Sequence, residues 1–379
     1  MKKFFLLCVV LIFFAACAED APAADETTAD EAIEEATEPT PEAEPRPEPN
    51  IHGKLTRIEY GNNVAYIIGS MHAGRPNWFP LADITEEAMA RADVFAFEFD
   101  MSALQNIEQL LEMDNEDLLR LIYNALGYWE ELYEFFADAV EFTFDEFFDE
   151  LHELFLLSPD EMLEWLILQD TLAEVLPHDI LSNFLEHLPS YGIEFAAISH
   201  MSPLEFTLWF GMEITPHITD VQDEYSVDDY VYNFAVRMGR QVVGLNHILI
   251  EYLLFTEIPA EIEPYMLADF VSFEELVEFH REYNLADAYE AQDLDFIREI
   301  ILRELGSADD NPYAQHFQLI NLYVRCHIFA NGIASLLRDT PEPTTFFITI
   351  GMAHILGDGA GKVLCLLEDM GFELTPLWQ

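Results

Sequence analysis

From residue 55 onward the chain alternates between short β-rich apolar runs and longer stretches in which apolar residues recur every three or four positions. Continuous or period-two apolar runs predict strands, and 3.6-residue spacing predicts helices. Residues 55–60 read as a strand, Gly61-Asn62-Asn63 as a turn and 64–68 as a second strand, which together make a hairpin. Residues 84–91 have helical spacing and 94–99 are again β-rich, suggesting a βαβ unit in an α/β layer. Residues 172–188, 203–211 and 228–238 read as helices, the last ended by Gly239. Residues 241–245 read as a short buried strand, and helices are expected over most of 261–338. A strand at 346–350, a helix at 362–370 ended by Gly371 and a final strand at 373–377 complete the pattern. The prediction is an α/β fold over residues 51–379, a central sheet flanked by helices.

The segment 102–170 stands apart. It carries nineteen acids and one base, Arg120, with Leu, Phe, Trp and Tyr at helical spacing among them. Several amphipathic helices with acidic outer faces are expected, forming an insertion in the domain. The N-terminus differs again. Lys2 and Lys3 precede eleven apolar residues, 4–14, and then Ala15-Ala16-Cys17. Such a run is too short to span a bilayer and suits a signal peptide. Residues 1–17 resemble a lipoprotein signal with its lipobox, in which Cys17 is acylated, although Phe14 stands where Leu is usual. The expected location is therefore extracytoplasmic, anchored to the bacterial cell membrane through Cys17. Residues 18–50 hold twelve acids, one Arg, six Pro and no aromatic residue, a composition for a disordered spacer.

Charge narrows the function classes. With 72 Asp+Glu against 16 Lys+Arg the formal net charge is −56, so the phosphate backbone of a nucleic acid would be repelled. Four cysteines, two of them in the first 17 residues, are too few for a disulfide framework. No Gly-x-Ser-x-Gly, P-loop, His-Glu-x-x-His or Cys-x-x-Cys motif is present, leaving serine hydrolase, NTPase and zincin readings unsupported.

What remains is a pattern that occurs twice: a β-rich run followed by Gly-x-x-His. The first is Gly69-Ser70-Met71-His72 and the second Gly351-Met352-Ala353-His354. Open α/β sheets bind ligands at the carboxyl ends of strands, and Gly permits the sharp turn that brings a histidine over that edge. Equally, both histidines could be satisfied by backbone hydrogen bonds in ordinary loops. Glu98 sits near the end of the apolar run 94–99, and period-two alternation places Asp100 on its face. A carboxylate there is costly unless it is paired or binds a metal. Two His with one or two carboxylates suit a divalent ion such as Zn, Mn or Co. Alternatively Glu98 pairs with Arg325. His327, two residues beyond, is a weaker candidate.

The paired motifs in this order resemble the TraB/GumN family, which includes the TIKI proteins. The resemblance covers most of 51–379: the 66–72 strand and GSMH, Phe79-Pro80-Leu81, Glu98-Phe99-Asp100, and the ending GMAHILGDGAGKVLCLLEDMGFELTPL. Asn246 stands where the family often has Glu, and Cys326 where Asn follows the late Arg. The resemblance implies an α/β fold of two related halves, each giving a Gly-x-x-His, and TIKI members are described as metal-dependent peptidases. The implied function is metal-dependent hydrolysis of a peptide or protein substrate. His72, His354 and Glu98 would be metal ligands, Glu98 and Arg325 would act in catalysis, and Asp100 and Asn246 are further site candidates. The rival reading is a non-catalytic lipoprotein that captures a peptide or signal in the same cleft.

Overall fold

The computed structural model describes residues 51–99, 220–247, 281–304, 322–356 and 362–377, with a few positions within 182–201 and at 277–278. The signal, the spacer, the acidic segment 102–170, Asp100, most of the helix expected at 172–188 and the helix expected at 203–211 lie outside the described residues.

Strand β1 (Thr56–Tyr60) turns at Gly61 into β2 (Asn63–Ser70), forming the expected antiparallel hairpin with Thr56 opposite Ile67. Helix α1 (Asp83–Arg91) buries Thr85, Ala88 and Met89 and leads to β3 (Val94–Phe99). Helix α2 (Val227–Arg237) starts at the N-cap Ser226, whose hydroxyl accepts from Asp229 N. It is followed by β4 (Gln241–Asn246). Helices α3 (Leu285–Glu290) and α4 (Leu294–Glu304) follow, then α5 (Arg325–Asp339) and β5 (Thr345–Gly351). The chain closes with the short helix α6 (Met352–Ile355), α7 (Val363–Asp369) and β6 (Glu373–Pro376). Helix α6, absent from the sequence pattern, is a single turn that begins where β5 ends.

The six strands form one mixed sheet in the order β4-β3-β5-β2-β1-β6. The four strands β4, β3, β5 and β2 are parallel, so their carboxyl ends share one edge. β5 is inserted between β2 and β3, so the strands of the expected βαβ unit are not neighbours. The insertion puts the two Gly-x-x-His elements side by side: β2 and β5 pair over seven residues, ending with Ser70 opposite Gly351.

Packing follows strand alternation. On one face of β3, Phe95 meets Phe234 and Phe97 meets Tyr232, both from α2. Glu98 alternates with Phe97 and takes its partner from α5. The buried core joins Ile67, Ile68, Phe95, Phe97, Phe346, Phe347 and Ile348 of the sheet to Val231, Phe329 and Ile333 of the helices. Asn63 ties the start of β2 to the end of α5. Its amide donates to Leu337 O and Thr340 O, both at 2.9 Å, and its Oδ1 accepts from Thr344 N. These bonds use carbonyls that a helix end leaves without intrahelical donors.

The strand expected to be buried at 241–245 is instead a sheet edge. Only Leu245 and Asn246 of β4 are buried, because β4 has a strand partner on one side among the described residues. Its Val-rich pattern reads equally well as a central or an edge strand.

Candidate functional site

The parallel strands bring Ser70, Phe99, Asn246 and Gly351 to one sheet edge, and the chemistry gathers there. After β2 the chain carries His72 out to solvent; its side chain is 68% exposed. The ring is nonetheless held. Its Nδ1 lies 2.9 Å from Asp228 Oδ2, whose side chain is only 9% exposed. Asp228 Oδ1 accepts from the Ser70 hydroxyl at 2.8 Å, and Val227 N donates to Met71 O at 3.0 Å. The Tyr289 hydroxyl of α3 donates to Gly69 O at 2.7 Å. Nearby, Arg75 forms ion pairs with Asp220, Asp287 and Glu290, fixing the loop that follows.

Glu98 and His354 are buried, as is Arg325 at the start of α5. Arg325 donates from NH2 to Glu98 Oε2 at 2.6 Å and from NH1 to His354 Nε2 at 3.2 Å. Glu98 Oε1 accepts from Gly351 N at 2.6 Å. Since the guanidinium can only donate, His354 Nε2 is the acceptor, and the neutral ring carries its proton on Nδ1. That nitrogen lies 3.3 Å from Cys326 Sγ, which receives the bond. Phe329 closes over the imidazole edge-on, with ring centroids 5.0 Å apart.

These surroundings separate the two histidines. Burial of its inner edge lowers the His72 pKa, but the Asp228 carboxylate overrides it and lifts the value towards about 9, an attraction that solvent screens at the exposed ring. Burial and then the adjacent Arg325 charge push His354 down to about 3. Burial would raise the Glu98 pKa, yet Arg325 outweighs it and holds the carboxyl below the usual range. Burial pushes the Cys326 thiol up to about 12.

The residues converge on Gly351. A Cβ added there would stand 3.1 Å from Glu98 Oε1, 3.5 Å from the His354 ring and 4.0 Å from His72 Nε2. Only glycine leaves this space between the three side chains. By donor type the set fits a divalent ion: two imidazoles and a carboxylate held ionised, with His72 Nε2 facing the cluster. His354 Nε2 lies 3.9 Å from Glu98 Oε1 but is engaged by Arg325, so it would have to exchange that contact to become a ligand. Among the described residues no three His, Cys, Asp or Glu side chains already stand at metal-holding distances.

His72, Glu98, Arg325 and His354 are thus brought together. Asn246 is buried at the same sheet edge, one strand further out, where its Oδ1 accepts from His247 N. His327 is turned away to Tyr323 O at 2.9 Å and packs at a tilt against the Tyr323 ring. Cys326 and Cys365 are not joined in a disulfide. Sequence reasoning gave no role to Asp228, Ser70, Cys326 or Tyr289. For Asp228 the signals were the place of Val227-Asp228 at a weaker landmark of the family resemblance, and a Ser226 cap followed by two acids in the first turn of a helix, which also describes ordinary capping.

Comparison with known proteins bears on this arrangement. No curated protein and no solved structure matches the chain. The model of the TraB/PrgY/gumN family matches residues 54–124 and 149–376, so both strand–Gly-x-x-His elements, Glu98, Asp228 and Arg325 fall inside the matched segments. These segments span well over half of the sequence, and the chain belongs to the TraB/PrgY/gumN family.

Proposed function

We propose that the sheet-edge cluster is the centre of a metal-dependent hydrolase acting on peptides or proteins. One observation carries the reading: His72, Glu98 and His354, from three segments of the chain, meet around the space that Gly351 leaves open. His72, His354 and Glu98 would hold a divalent ion, Mn, Co or Zn, which would displace the proton that Asp228 favours on His72. When bound, it would lower the pKa of a water and polarise a substrate carbonyl. Glu98, held ionised by Arg325, suits a ligand, which must be deprotonated. The same lowered pKa makes it a weak base at neutral pH. Arg325 is buried and engaged with both Glu98 and His354, so it orients these groups. The exposed His72 ring stands where an incoming substrate would meet the site.

A specific contact favours a second reading, a non-catalytic binding lipoprotein: Arg325 already places a fixed cation on His354 Nε2. A peptide-library assay with and without chelator separates the two. The hydrolase reading expects cleavage that chelator abolishes and that His72→Ala reduces at least 100-fold. Retention of peptides without cleavage, with or without added Mn²⁺ or Zn²⁺, would support the binding reading instead.

We also propose that the chain is exported and anchored by acylation of Cys17. No helix among the described residues is long and apolar enough to cross a membrane. Cys17→Ala is expected to move the protein from the membrane to the soluble fraction; unchanged fractionation would contradict the anchor.

A further inference from the structure

The first strand–Gly-x-x-His element is gripped by the start of α2 more closely than loop packing requires. Three successive residues each bond to it: Ser70 through its hydroxyl, Met71 through its carbonyl and His72 through Nδ1. Two of these bonds end on the two oxygens of one buried carboxylate, Asp228. A histidine that is 68% exposed would ordinarily rotate among rotamers on the picosecond to nanosecond scale. Here its Nδ1 is pinned inward, and Nε2 is left as the atom nearest Gly351, 4.0 Å from the Cβ position.

We propose that Asp228 is a positioning residue of the site: it clamps His72 through Nδ1 so that Nε2 is presented to the cluster. The Ser70 hydroxyl fixes the carboxylate in turn, so the clamp is a Ser70–Asp228–His72 chain. Its use as support for a ligand rests on the metal reading above. A carboxylate on the second nitrogen of a ligating imidazole fixes the ring's orientation and raises its basicity, and its loss typically costs 10–100-fold in metal affinity. The second element does this differently: His354 is held by Arg325 at Nε2 and Cys326 at Nδ1.

The test uses the full-length protein with ¹³Cε1-labelled histidine. In the wild type the order parameter of the His72 ring should match rigid backbone, about 0.85, and in Asp228→Asn it should fall below about 0.6. Zn²⁺ titrated into the same two proteins should bind 10–100-fold more weakly to Asp228→Asn. A mobile ring in the wild type overturns the proposal without any variant, so a poorly folding Asp228→Asn would not shield it. A ring equally ordered in both proteins, or Zn²⁺ affinity unchanged in the variant, also overturns it. A wild type that binds neither Zn²⁺ nor Mn²⁺ contradicts the metal reading, and the ring measurement then decides the clamp by itself.

Discussion

His72 and His354 occupy equivalent places after two neighbouring strands, yet one faces a carboxylate and the other a guanidinium. A sequence can show that Glu98 needs a partner, because a carboxylate in an apolar run is expensive to bury. Sequence reasoning offered Arg325, 227 positions away, as an alternative to a metal, and the structure pairs the two at 2.6 Å. Asp228 was less legible still, since a helix-start acid looks the same whether it caps a helix or holds a ring 156 positions away. The electrostatic contrast is directly observable. Histidine NMR should find His72 titrating above its ordinary value, because Asp228 faces it, and His354 neutral down to about 3. A His354 that titrates near the ordinary value of about 6.5 would mean that the ring is not buried beside Arg325 in solution.

At the scale of elements, the strand and helix pattern was largely readable because each run has one period and a clear terminator. Gly239 and Gly371 sit at φ of +61° and +89° just past α2 and α7, as their positions suggested. Strand order was not readable. The position of β5 between β2 and β3, which makes the site, depends on pairings across nearly 300 residues. Edge and centre were confused at β4, since a short apolar strand carries no mark of its neighbours. The Arg75 cluster holds the loop after His72 against α3 and has a pH signature. Burial would raise the Glu290 pKa, but hydrogen bonds from Arg75 and Trp78 bring it below its ordinary 4.5. A depressed carboxylate stabilises the fold above its unfolded pKa, and that contribution disappears as pH falls through the folded value. Between pH 6 and pH 3, Arg75→Met should therefore lose less thermal stability than the wild type; equal losses would show that the pair is screened out.

At the scale of the whole molecule, the charge of −56 is the dominant fact, and it was fully legible. Like charges at this density repel across the surface, and salt shortens the range of that repulsion to about 3 Å at 1 M. The melting temperature should rise from low salt to about 1 M NaCl, as calorimetry would show. A flat response would mean that the acids are already neutralised by bound cations or by local pairing. Family membership was legible from the two Gly-x-x-His elements, because their spacing from the strands survives in the sequence itself. The candidate donor set was legible, but the contact between Arg325 and His354 was not, since it belongs to the fold. The same acidity complicates any metal measurement, because surface carboxylates collect divalent ions weakly. The most direct test is therefore comparative: elemental analysis of the full-length protein after exhaustive dialysis, for wild type, His72→Ala and Glu98→Gln. The account predicts about one tightly held divalent ion per wild-type chain, lost from both variants. Metal absent from the wild type, or retained equally by all three, would contradict it.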